Sequence, residues 1–152
     1  MTSGGSDLVA FPTAEQRAAA RRPLTLVQKW QLAREIVVTY VHARLWLRRQ
    51  SLEDVLGRLR ENAALEPATG MHLLQAARLG RIVRRTLGML PFDSRCLVQS
   101  LVLVSLLARR GIQTTLVIGV KPAPSFQAHA WVELEGYPIL PVGGDYGRLH
   151  EL

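Results

Sequence analysis

The sequence predicts an α+β domain: N-terminal helices, one buried central helix, and a C-terminal antiparallel sheet. Three observations predict it. Apolar residues recur at helical spacing over residues 13–110. Within that region Asp93–Gly111 is apolar on nearly every side, the pattern of a helix buried all round. Past Gly111 the period changes from 3.6 to 2, which places a sheet over residues 114–142.

In chain order, Met1–Pro12 is expected to be frayed, and residues 13–152 form a single domain long enough for one proper core. Thr13-x-x-Gln16 and Thr25-x-x-Gln28 read as capping boxes, with Pro23 breaking the chain between them. The first opens a short Ala/Arg helix. The second opens a long helix to about Arg49, whose inward stripe is Trp30, Ala33, Val37, Tyr40, Val41 and Leu45. Trp30, Trp46 and Trp131 are all expected in the core. Ser51-x-x-Asp54 starts a third helix with Leu52, Val55, Leu56 and Leu59 as its stripe. A loop over 63–70 leads to a fourth helix, about Met71–Leu87, with Leu74, Ala77, Ile82 and Leu87 inward and its arginines mostly outward.

The buried helix follows. Asp93 or Ser94 can cap its start, and Arg109-Arg110-Gly111 marks its end, with cations in the last turn and glycine just beyond. It is too short to span a bilayer, which takes roughly 20 apolar residues. Thr114–Val120 is a β-branched strand, and Lys121–Gln127, with two prolines, is a loop. In the next strand, Ala128–Glu135, the residues Ala128, Ala130, Val132 and Leu134 face one way and His129, Trp131 and Glu133 the other. Glu135-Gly136 is a two-residue hairpin turn, and Tyr137–Leu140 returns.

The composition is that of a folded domain rather than a disordered chain. The net charge is +7, and the only lysines are Lys29 and Lys121, so arginine supplies it. A basic chain suits an acidic partner, yet no run of five or six like charges appears. One cysteine excludes an internal disulfide, and no secretory signal opens the sequence, so a cytoplasmic location is expected.

Cys96, that single cysteine, lies in the first turn of the buried helix. Unpaired N–H groups and the helix dipole there favour thiolate. Cys96, Gln99 and Ser100 share one face and are almost the only polar groups before the arginines. A thiolate nucleophile needs a base, and His129 on a strand can supply it if the helix packs across the sheet. The plainer alternatives are a cysteine that acts as a small buried hydrophobe and a structural histidine.

Arg95-Cys-Leu-x-x-Ser100, Leu-Leu-Ala-Arg-Arg-Gly-Ile112, Leu-Val-Ile-Gly-Val120 and Ala-His129-Ala-Trp-Val-Glu133-Leu-x-Gly136 together resemble the B-protein peptidases of lasso-peptide biosynthesis. These belong to the transglutaminase-like, papain-related cysteine proteases. The resemblance covers about residues 85–152 and implies a transglutaminase-like (papain-like) fold. It implies a leader peptidase that cuts a ribosomal precursor peptide, freeing an amine that a partner cyclase joins to an acidic side chain. By position Cys96 is the nucleophile and His129 the general base, and the Cys96 N–H is one oxyanion donor. No cofactor or metal is implied. Fused members carry a leader-recognition domain ahead of the peptidase. This chain resembles the split, peptidase-only form and is expected to need a separate recognition protein.

The family's third catalytic group is an aspartate on the returning strand. With the turn at Glu135-Gly136, the residues opposite His129 are Pro141 and Val142, which offer no side-chain acceptor. Asp145 is the nearest downstream carboxylate and reaches back only if Gly143-Gly144 curls the chain inward. The alternative is that a backbone carbonyl or water orients the ring. Glu133 shares the histidine's face but lies about 13 Å along the strand, and Asp93 suits the helix cap. Gln99, Ser100, Phe126 and Trp131 are the candidate substrate-side residues, Phe126 as part of a rim formed by Pro122–Phe126. His42, His72 and His150 show no metal-ligand spacing with Cys96. Two rival readings stand beside the peptidase: a catalytically silent scaffold of the same fold, and a basic nucleic-acid-binding module, which lacks aromatic platforms among its arginines.

Overall fold

The computed structural model describes residues 13–15, 18, 23–49, 51, 54, 57, 70–89, 96–121, 127–140, 142, 144 and 146–151. Three helices are described along their length: α1 (Leu26–Arg49), α2 (Gly70–Gly88) and α3 (Cys96–Ala108). Four strands follow: β1 (Thr115–Lys121), β2 (Gln127–Leu134), β3 (Tyr137–Pro138) and β4 (Gly147–Glu151). They form one antiparallel sheet in the order β3-β2-β1-β4. The domain is α+β, as the change of period predicts.

Local signals act where the sequence puts them. Thr25 N–H donates to Gln28 Oε1 at 3.0 Å, and Gln28 N–H to Thr25 Oγ1 at 3.3 Å, which is the reciprocal capping box. Ser51 Oγ accepts the Asp54 N–H at 3.3 Å, and Asp54 is helical. At the far end of α3, Gly111 has φ 73°, a left-handed conformation that glycine adopts without strain. The Ile112 N–H bonds the Leu107 carbonyl and the Gly111 N–H the Ala108 carbonyl, both at 3.0 Å. That pair closes the helix in a Schellman motif. Glu135 and Gly136 both have positive φ, 49° and 78°, which is the type I′ hairpin geometry.

Every residue of α3 from Ser100 to Leu107 is buried. α1 and α2 cover it on one side, and Leu116, Ala130, Val132 and Leu134 of the sheet on the other. The stripe expected of α1 is corrected. Ile36, Thr39, Tyr40 and Ala43 are buried, whereas Val37, Val41 and Leu45 are exposed and Trp30 is 77 % exposed. The helix carries two apolar stripes, and Leu32-Ile36-Tyr40-Ala43-Leu47 meets α3. α2 turns likewise: Ala76, Leu79, Gly80, Val83 and Leu87 are buried, with Leu74, Ala77 and Ile82 only partly so.

The sheet differs in two respects. The third strand is two residues long, Tyr137–Pro138, and Pro138 is tolerated there because its missing N–H would face away from β2 at the sheet's edge. One further bond, Ile139 N–H to the Val132 carbonyl at 2.9 Å, closes the hairpin. A fourth strand, absent from the sequence reading, pairs with β1 through a register shift at Ile118/Gly119.

Candidate active site

Because β3 ends early, residues 129–131 of β2 have no strand partner on that side among the described residues. A pocket of about 170 Å³ opens against this free edge. Cys96, Gln99, Ser100 and Leu103 of α3 line one wall, and His129–Val132 the other. Residues from both faces of β2 reach the pocket, as they can only at an edge. This answers how Cys96 and His129 share a site although α3 packs on the opposite face of the sheet from His129. The helix need not cross the histidine's face, because both residues line the one pocket at this edge.

The remaining wall belongs to Ile139, Leu140 and Val142 and to Gly80, Val83 and Arg84 of α2. Gly80 permits the close approach, since a Cβ there would lie 3.2 Å from Leu140 Cγ and 3.3 Å from Ile139 Cγ2. The buried Ser100 hydroxyl donates to the Ala130 carbonyl at 3.0 Å. That bond joins the helix one turn past Cys96 to the strand one residue past His129, and so fixes the width of the pocket.

Behind the pocket the reverse face of the sheet holds the histidine. Its ring stacks on Trp131, with centroids 6.1 Å apart and planes 20° apart. Tyr146, just before β4, packs against it at 5.2 Å. Trp131 is itself pinned: its indole N–H donates to Glu133 Oε1 at 2.7 Å. Both Glu133 oxygens accept from Arg148 Nη2 at 2.8 Å, and Arg148 also bonds Glu151. Glu133 is 4 % exposed, so these bonds satisfy a carboxylate that burial would otherwise penalise. The arrangement needs Gly119, which faces His129 on β1. A Cβ there would come within 2.7 Å of Trp131 Cη2 and Cζ3 and 3.0 Å of the Gly147 carbonyl. Burial in this surround lowers the His129 pKa from its ordinary value.

Cys96, Gln99, Ser100, His129 and Trp131 thus meet at one pocket. Cys96 is half-buried with a free thiol. Asp145 and Phe126 lie outside the described residues, as do Asp93, Ser94 and Pro141. Val142 is described but is not in a strand, so the sequence-derived register opposite His129 is not realised as a ladder. Tyr146, Arg148, Gly80 and Arg84 escaped the sequence reading. The first two depend on β4, and the α2 pair depends on which side of that helix turns inward. Among the described residues no cluster of three His, Cys, Asp or Glu side chains could hold a metal ion, and no helix is long and apolar enough to cross a membrane.

The profile of the transglutaminase-like superfamily matches residues 37–150, most of the chain and the whole of the pocket's lining. No curated protein and no solved structure matches the chain.

Proposed function

The chain belongs to the transglutaminase-like superfamily, which includes cysteine-dependent enzymes, and we propose that it is a cysteine protease acting as the leader peptidase of a lasso-peptide precursor. The observation that carries this reading is the shared pocket of Cys96 and His129 at the start of a buried helix. Its size, comparable with a cavity on the order of 150 Å³ that takes one benzene-sized group, suits a single side chain and the adjoining amide.

In the proposed reaction the Cys96 sulfur attacks the scissile carbonyl while His129 takes the thiol proton. The oxyanion of the tetrahedral intermediate is proposed to face the Cys96 N–H in the first turn of the helix. Collapse breaks the C–N bond, His129 returns the proton to the leaving amine, and the leader stays as a thioester. Water, deprotonated by His129, then releases the leader acid and regenerates the thiol. The freed amine belongs to the core peptide, available to a partner cyclase. A lowered pKa keeps the imidazole neutral at neutral pH, the form that accepts a proton. Asp145 is the proposed orienter of the ring, with Trp131 and Tyr146 packed against it. The proposed partners are the precursor peptide, a separate leader-recognition protein and the cyclase, in the cytoplasm.

The test is incubation of precursor and recognition partner with wild type, Cys96→Ala and His129→Ala, followed by mass spectrometry. A discrete leader fragment with wild type, lost in both variants, is the expected result. An unchanged cut in Cys96→Ala would overturn the reading. A silent scaffold is the second reading, favoured by one observation: among the described residues the groups against His129 are rings, with no carboxylate bonded to it. It predicts no cleavage by wild type.

A further inference from the structure

α2 separates the catalytic pocket from a second concavity. Gly80, Val83 and Arg84 line the pocket, whereas Arg78, Arg81, Ile82 and Arg85 line a groove of about 640 Å³ between α2 and the first turns of α1. The volume lies in the range of roughly 300–1,000 Å³ typical of ligand sites. Its floor is apolar, with Leu32 and Ile82 half-buried and Met89 72 % exposed. Lys29 joins the three arginines around it, and among the described residues no carboxylate lines it. Beside Lys29 stands Trp30, also largely exposed. Met, Trp and Arg around an apolar centre are the residue types that mark the centres of protein interfaces.

We propose that this groove docks an acidic amphipathic peptide segment of a partner protein, with aliphatic side chains on the floor and carboxylates against Lys29, Arg81 and Arg85. Charge and shape exclude the other occupants. A second copy of this chain would bring +7 onto a basic face. The chain's own segment before α1 is net basic, with Arg17, Arg21 and Arg22 against Asp7 and Glu15. A nucleic-acid backbone would meet the cations but leave the apolar floor unfilled. A planar bilayer does not enter a concave groove.

The inference does not depend on the thiol chemistry, and its test does not read cleavage. The probe is a random twelve-residue peptide library displayed on phage, selected on the full chain, with the most enriched peptide then titrated by fluorescence anisotropy. Selected sequences should combine Asp or Glu with Leu, Ile or Val at helical spacing. Arg81→Glu/Arg85→Glu should weaken the enriched peptide by about tenfold or more, as should Met89→Glu, while Arg48→Glu/Arg49→Glu at the far end of α1 should bind like wild type. All five positions are exposed, so the fold tolerates the changes, and an unchanged melting curve verifies it. No enrichment, enrichment without acidic residues, or equal binding by the groove variants would overturn the proposal. So would tighter binding of single-stranded DNA or of anionic vesicles that the same variants abolish.

Discussion

The two faces of the sheet do different work. Toward α3 the side chains of Leu116, Ala130, Val132 and Leu134 are apolar and buried in one cluster with the helix. On the reverse face His129, Trp131 and Glu133, Gly119 and the β4 residue Arg148 form a chain of ring contacts and hydrogen bonds. Both faces are well covered, yet only one is held by shape-insensitive burial. The front face stabilises the fold whatever the detailed geometry, whereas the reverse face fixes the direction of one imidazole. On the proposed reading, the division lets the domain carry a positioned base without placing it in its core.

If that division is right, substitutions on the two faces separate stability from rate. Leu116→Ala, at a fully buried front-face position, should cost about 2–5 kcal/mol in denaturant unfolding, with kcat/KM of the folded fraction nearly unchanged. A matching fall in kcat/KM would erase the distinction. Glu133→Gln should cost less, about 1–3 kcal/mol, because Arg148 is half-exposed and regains water. It should nonetheless lower kcat by weakening the Arg148 clamp that holds the partner of the Trp131 indole.

Gly119→Ala forces the Trp131 ring away from its position at 2.7 Å. It should reduce kcat/KM by about tenfold to a hundredfold, the scale of a 1 Å misplacement, for a smaller loss of stability. Ser100→Ala sharpens the comparison from the front: it removes the bond to the Ala130 carbonyl at a cost of about 1 kcal/mol. It should also widen the pocket, raising KM more than it lowers stability.

The smallest effect is that of pH on folding. Burial makes the folded state resist protonation of His129, so just below 6.5 the unfolded chain binds more protons. Stability should therefore fall as pH drops below that value, and His129→Gln should flatten the slope. The acid limb of kcat/KM should likewise lie below 6.5, the ordinary imidazole value.

How much of this the residues announce depends on the distance over which each feature is decided. α3 was legible because its hydrophobicity is one-dimensional: no choice of face is needed for Ser100–Leu107. Its Gly111 end, the Thr25–Gln28 cap and the Glu135-Gly136 turn were legible because each is settled within a few residues. α1 offered two stripes, and only packing on α3 selects Ile36 over Val37. β4 has no period of its own to read, because Gly147–Glu151 becomes a strand by pairing with the edge of β1. Cys96 and His129 stand out by residue type, but their meeting at the free edge of β2 follows from a two-residue β3 that alternation alone extends further. Tyr146 and Arg148 inherit the illegibility of β4.

The central claim is that one pocket couples the Cys96 thiol to the His129 ring. Cys96 is the only cysteine, so alkylation by iodoacetamide reads a single site. Rates measured from pH 5 to 9 on wild type and His129→Ala should differ, with the variant markedly slower near neutrality. Superimposable profiles would contradict the account.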